Sequence, residues 1–166
     1  MIPATNLETG KIEYFSNKNR DNIFEALRAT KAMPILFNKE VGIKGKKYCD
    51  SHVSISTTLN ALKAIELGAD KLIIITNNAP NFINELFLSI WFKFRNKQFK
   101  ENYLKSLEKI KEIKIPTNIL VIYLQPKNKL KITMLNNNQE ILKKTLLQGF
   151  NETCSNKELK KFLEIQ

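Results

Sequence analysis

Asp50, Ser51 and His52 stand side by side, and each carries a group able to move a proton or attack a carbonyl. A carboxylate within hydrogen-bond reach of a hydroxyl can take its proton during nucleophilic attack. Asp50 follows directly on Lys46–Cys49, a strand-like run, so its carboxylate is expected at a strand end, where α/β sheets carry their chemistry. The other reading of an aspartate in that place is an ordinary turn former. His52 is the single histidine of the chain, and a ring two residues from Asp50 on a turn is badly placed to reach the carboxylate. It reads as a surface or hydrogen-bonded turn residue. Ser51 is not on the strained elbow above a helix N-terminus that a nucleophilic serine needs. The five glycines, Gly10, Gly42, Gly45, Gly68 and Gly149, form neither G-x-S-x-G nor a glycine-rich oxyanion loop. Cys49 and Cys154 are far apart and neither sits in a metal-type pair, which excludes a zinc site and points to two reduced thiols.

The elements that must position Asp50 are legible as a pattern. Ile2 to Thr5 and Lys11 to Phe15 read as a hairpin around Leu7-Glu8-Thr9-Gly10, with Gly10 supplying a positive φ. Asp21 or Asn22 caps a helix to about Lys31, with Ile23, Leu27 and Phe24 facing inward, and Pro34 prevents its continuation. Val41 to Cys49 alternates and turns at Gly45, a second hairpin. Ser56, Thr57 or Thr58 opens a helix that ends near Leu67, with Gly68 as its stop. Leu72-Ile73-Ile74-Ile75 is continuously apolar, as in a strand buried on both faces of a parallel sheet, and Asn118 to Leu124 is a second such run. Between them, Pro80 opens a helix through Phe99 and another covers about Asn102 to Glu112. Lys129 to Leu135 alternates like an edge strand, and two helices, about Asn138–Asn151 and Asn156–Ile165, close the chain. Strands alternating with helices predict an α/β layered fold.

The 166 residues suit a single domain, with 43% hydrophobic and 26% charged residues, an ordinary soluble globular composition. No apolar run approaches the ~18 residues of a membrane span, and Met1 to Asn6 lacks the features of a signal peptide, so the expected compartment is the cytoplasm. The net charge of +11 is uneven: residues 1–70 carry ten Lys/Arg against eight Asp/Glu, and residues 71–166 seventeen against eight. A basic half of this kind either solvates helix faces or meets an anionic surface. Phe82, Ile83, Leu86, Phe87, Ile90, Trp91 and Phe94 have helical spacing beside Lys93, Arg95, Lys97 and Lys100, which fits a core-facing helix and also a peripheral helix on anionic lipid. Nucleic-acid binding rests on charge alone, without a zinc, helix-turn-helix or aromatic RNA motif.

Three stretches in order resemble the patatin-like phospholipase family. Ala4-Thr5-Asn6-Leu7-Glu8-Thr9-Gly10-Lys11 is similar to the family's A-T-D-L-x-T-G strand and turn. Ala26-Leu27-Arg28-Ala29-Thr30-Lys31-Ala32-Met33-Pro34-Ile35-Leu36-Phe37 is similar to its A-x-x-A-S-x-A-x-P-x-x-F helix and proline turn. Gly45 to Asp50, followed by Gly68-Ala69-Asp70-Lys71-Leu72-Ile73-Ile74-Ile75, looks like the strand into its Asp-Gly-Gly or Asp-Gly-Ala motif and the later G-A-D and buried strand. Leu130 to Phe150 resembles the tail of bacterial members more weakly.

The resemblance implies the C-terminal half of a lipid acyl hydrolase domain. It implies a layered α/β fold with a mainly parallel central sheet flanked by helices, residues 1–78 holding the core and residues 79–166 a helical, basic remainder. It also implies a Ser–Asp dyad in which Asp50 is the base, and phospholipid or a related lipid ester as substrate, with no cofactor. Ser51 and His52 stand where the family usually has small residues, so this loop must accept side chains there. Without G-x-S-x-G or an oxyanion loop, the chain alone is expected to be inactive. A missing N-terminal half or a second copy is then an expected partner, and the uncovered sheet is expected to carry an open edge and apolar patches. Leu72–Thr76 and Asn118–Leu124 are expected as central strands, with Asp50 in a cleft near the Asn77-Asn78 loop. The rival expectation is a non-enzymatic module that binds a membrane or a protein.

Overall fold

The computed structural model describes residues 1–34, 37, 39–51, 57–76, 90–112, 114–128, 130, 132 and 137–164. They form a mixed α/β protein in two compact units, residues 1–62 with 83–114, and residues 63–82 with 115–166.

The first unit is built on a four-stranded sheet in the order β2-β1-β4-β3, from β1 (Ile2–Asn6), β2 (Ile12–Phe15), β3 (Val41–Ile43) and β4 (Lys46–Cys49). All three pairings are antiparallel. The two expected hairpins are both found, and the sheet of this unit is antiparallel. The cause is local: β1–β2 and β3–β4 are hairpins, and a hairpin can only pair its strands antiparallel. In β3–β4 the two turn residues, Lys44 (φ 50°) and Gly45 (φ 77°), both take positive φ, as a two-residue hairpin turn requires. Lys44 accepts that conformation while its ammonium reaches Asp21 Oδ1 at 2.6 Å.

Asn22 Oδ1 accepts the Glu25 amide at 3.2 Å and caps α1 (Ile23–Ala29), as the sequence predicts. The inward face differs from expectation. Ala26 and Ala29 are fully buried against β1 and β3, whereas Phe24 is 80% exposed and Leu27 is exposed as well. Two alanines one turn apart let a short helix lie close on the sheet, which leaves no depth for larger side chains on that face. The core around them is Ala4, Phe15, Ala32, Val41, Ile43 and Tyr48, with Phe15 and Tyr48 edge to face at 5.1 Å.

The expected helix running through Phe99 is interrupted. Residues 90–93 are helical, Phe94–Asn96 are not, and α3 (Lys97–Glu112) starts afresh with Asn96 Oδ1 accepting the Phe99 amide at 2.7 Å. Asn96 and Asn102 also donate to the carbonyls of Glu8 and Thr9 at 2.9 and 2.8 Å, which ties the β1–β2 turn to α3. Leu7, Cys49 and Phe99 bury together there, with Trp91, Phe92 and Tyr103 packed against the cluster.

Residues of both units contribute to α2 (Thr57–Glu66), which ends where expected: Gly68 has φ 96° and its amide bonds Ile65 O at 2.8 Å. In the second unit β5 (Lys71–Ile75) and β6 (Leu120–Leu124) pair in parallel, in register from Lys71↔Leu120 to Ile75↔Leu124. The two apolar runs are thus strands with the expected mutual direction, but in a sheet of two strands among the described residues. Their expected burial on both faces is not found: Ile74 and Ile122 are buried, while Ile73, Ile75, Leu120 and Tyr123 are exposed. Asn138 caps α4 (Gln139–Cys154), and α5 (Lys157–Glu164) follows and packs on β6, burying Leu159. Of the expected edge strand over 129–135 only Leu130 and Ile132 are described, and the start of the helix at Pro80 and the cap at Ser56 fall outside the described residues.

Gly10 carries two requirements at once. Its φ is +67°, and a Cβ built on it would stand 2.6 Å from the carbonyl oxygen of Phe99. Gly10→Ala is therefore expected to lower unfolding stability by about 2–3 kcal/mol, from the left-handed conformation and the backbone clash together. Denaturant titration measures it, and a neutral Gly10→Ala would contradict the docking of this turn on α3.

Candidate functional site

The site candidate is the end of β4. Its position follows from β1, the strand that pairs with both β2 and β4. In β1, Thr5 lies opposite Cys49 and Asn6 opposite Tyr48. Asp50 is the first residue past this ladder, and its backbone is held from two sides. Its amide donates to Ala32 O at 3.0 Å, and its carbonyl accepts from Thr5 Oγ1 at 3.0 Å. Thr5 is fully buried and Asp50 is half-buried. A buried hydroxyl spent on one backbone carbonyl fixes the chain direction at Asp50 and so limits where its carboxylate can go.

Ser51 follows in the same arrangement, its hydroxyl 3.1 Å from the hydroxyl of Thr30 just past α1. The segment after α1 and the Tyr48–Ser51 stretch, distant in sequence, are thus brought together through Thr30···Ser51 and Ala32···Asp50. His52, which the sequence sets beside Asp50, lies outside the described residues, as do Asn77 and Asn78.

Cys49 precedes Asp50 and is buried, and its thiol is pushed up to about 12, first by burial and then by the negative charge of Asp50, with Arg95 pulling the other way. A thiol held that high is protonated at neutral pH and is not a nucleophile. Arg95 stacks on the Trp91 ring, 4.4 Å from its centroid, and its guanidinium is 4.0 Å from Glu40 Oε1. Glu40 in turn pairs with Lys47 Nζ at 2.7 Å. Among the described residues the buried Nε of Arg95 has no hydrogen-bond partner.

A polar network sits one step back along the sheet. Asn6, 1% exposed, donates to Glu13 Oε1 at 2.8 Å, and Tyr48 OH donates to Glu13 Oε2 at 2.7 Å. Burial opposes the charge on Glu13, but the hydrogen bonds from Tyr48, Asn6 and Lys46 outweigh it and hold the carboxyl below its ordinary value. Burial first, and then the bond to Glu13, push the Tyr48 phenol well above its usual range. Every member is satisfied inside the network, so it stiffens β1, β2 and β4 and offers no reactive group.

Sequence reading singled out Asp50 and missed Thr5, Thr30 and Ala32, the residues that orient its backbone and its neighbour. The signal for Thr5 was present in Ala4-Thr5-Asn6, but only strand pairing shows that its hydroxyl faces Asp50. No group of three or more His, Cys, Asp or Glu among the described residues has the geometry to hold a metal ion. Compared with protein-family models, with curated proteins and with solved structures, the chain matches none.

The two thiols are expected to differ sharply. Cys154 is exposed and Cys49 is buried with its thiol raised. At mildly alkaline pH a thiol reagent should label one cysteine per native chain and two after denaturation, with mass spectrometry placing the native label on Cys154. Native labelling of Cys49 at a comparable rate would show that the end of β4 is open.

Proposed function

We propose that this chain carries the general-base half of a patatin-like lipid acyl hydrolase domain, with Asp50 as the dyad carboxylate. The observation that carries the reading is Asp50 itself, directly past β4, its backbone pinned by Thr5 and Ala32. A general base must be presented with little positional freedom, because proton transfer needs hydrogen-bond distance to the nucleophile. Each of the three stretches that resemble the family supplies part of this arrangement: Thr5 from the first, Ala32 from the second, Asp50 from the third. The layered, mainly parallel sheet of the complete domain belongs to the same proposal, with β5 and β6 as its parallel core.

In this reading the nucleophilic serine and the oxyanion donors come from sequence outside these 166 residues. The reaction is attack of that serine on a lipid carboxylic ester. Asp50 takes the hydroxyl proton as the bond to the carbonyl carbon forms, and returns it to the departing alcohol as the tetrahedral intermediate collapses. Water then repeats the sequence on the acyl-enzyme, with Asp50 again the base. Ser51 stays with Thr30, and Cys49 stays protonated; neither takes part.

A second reading is a membrane- or protein-binding module on the same fold. What favours it is the number of large apolar side chains left in solvent, Phe24, Phe94, Ile75 and Leu146 among them.

The test is enzymatic and genetic together. The chain alone should not turn over p-nitrophenyl esters or phospholipid above background. DNA upstream of codon 1 should encode a G-x-S-x-G segment, and the two parts expressed together should hydrolyse the ester in a manner lost in Asp50→Asn. Turnover by the 166-residue chain alone that disappears in Asp50→Asn would overturn the claim that it lacks its nucleophile. Absence of any G-x-S-x-G segment upstream would turn the account to the binding module.

A further inference from the structure

The 16-residue helix α4 presents its faces in the reverse of the usual order for a helix on a globular domain. Its protein-facing stripe is Ile141, Thr145, Gln148 and Glu152, all half-buried and three of them polar. That stripe is locked by Gln148 Nε2 donating to Glu152 Oε1 at 2.8 Å and by the Lys127 amide donating to Glu152 Oε2 at 3.1 Å. The outward stripe is Leu142, Leu146 and Phe150 at four-residue intervals, with Leu147 beside it; Leu146 is 73% and Phe150 is 65% exposed. Side chains four apart on a helix stand in line, so these three make a continuous apolar ridge.

Charge decides what the ridge meets. The unit that contains α4 has ten lysines against six acidic residues, a net +4. Lys143 emerges beside the ridge and Lys144 beyond Leu147 at the margin of the exposed face, and exposed Lys157, Lys160 and Lys161 follow in α5 together with exposed Glu158 and Glu164. Of the two acidic residues in α4, Glu152 is turned inward and bonded, leaving Glu140 in the first turn as the exposed one. A second copy docked ridge to ridge would bring the lysines of both chains together. An anionic bilayer neutralises them and buries the apolar side chains, while the lysine stems lie along the apolar surface and their ammonium groups reach the headgroups. No helix among the described residues is long and apolar enough to cross a membrane, so α4 would lie in the interface.

We propose that α4 is an interfacial docking helix for anionic lipid, inserting Leu142, Leu146 and Phe150 among the acyl chains with Lys143 and Lys144 on the headgroup phosphates. The proposal stands without the dyad reading, since partition onto a vesicle needs no turnover.

The experiment is flotation of the full chain with vesicles of phosphatidylcholine alone or of phosphatidylcholine with phosphatidylglycerol, at low and high salt. Wild type should float with the phosphatidylglycerol vesicles and remain behind with the neutral ones. The doubly substituted Leu146→Glu/Phe150→Glu chain should lose about tenfold or more in partition, because it replaces inserted apolar groups with charges. Both positions are exposed, so circular dichroism and the melting transition should match wild type. Lys143→Gln/Lys144→Gln leaves the ridge intact and should lower binding to the anionic vesicles while flattening its salt dependence. Equal flotation with both vesicle types, or no effect of either variant, overturns the proposal. So does a dimer seen by light scattering that Leu146→Glu/Phe150→Glu dissociates while wild type ignores vesicles; that result assigns the ridge to a second copy.

Discussion

The first unit depends on the burial of Asn6. This side chain, at the end of β1, is almost wholly removed from water, and it meets its obligations locally. Its Oδ1 accepts the amides of Glu8 and Thr9, at 2.9 and 3.1 Å, which closes the turn that follows β1. Its Nδ2 donates to Glu13 on β2, and Tyr48 on β4 donates to the other oxygen of the same carboxylate. One buried amide thus couples the turn, β2 and β4. Removing it would leave the partly buried amides of Glu8 and Thr9 without this acceptor and Glu13 without one of its donors, at a cost on the order of 1 kcal/mol each.

The position of Asp50 follows from that coupling. With Tyr48 held by Glu13 and paired opposite Asn6, Cys49 falls opposite Thr5, and Asp50 emerges where the Thr5 hydroxyl can take its carbonyl. The turn closed by Asn6 is in turn seated on α3 by Asn96 and Asn102, and Gly10 is small enough to let it approach Phe99. The carboxylate at the end of β4 is therefore presented by the same interactions that hold the sheet together. Its neighbours are poor competitors for chemistry: the Cys49 thiol is held protonated, and the Ser51 hydroxyl is engaged with Thr30.

Local punctuation in the sequence was readable because its physics is local. Gly10, Gly45 and Gly68 each take the positive φ their turns require, Asn22 caps its helix, and the two apolar runs form parallel strands. Features set by packing were not readable. The inward face of α1 consists of Ala26 and Ala29 because closeness to the sheet, and not side-chain size, decides burial there. The stop before α3 is made by Asn96, whose side chain serves both as a helix cap and as a tether to Glu8, a role no periodicity reveals. Continuous hydrophobicity in β5 and β6 predicted coverage on both faces, but coverage is a property of what packs on a strand. Asp50 could be picked out by type and place in the chain, whereas its supports, Thr5 and Ala32, became visible only through strand register and loop geometry.

The central claim is that the Asp50 backbone is rigidly held at the end of β4 and is not part of a loose loop. Amide hydrogen exchange followed by NMR tests this most directly, because the Asp50 amide is bonded to Ala32 O. The account predicts that this amide exchanges as slowly as the protected amides of β4, and that Thr5→Val speeds it selectively while the rest of the strand stays protected. Exchange of the Asp50 amide at the rate of an exposed loop in the wild-type chain would contradict it.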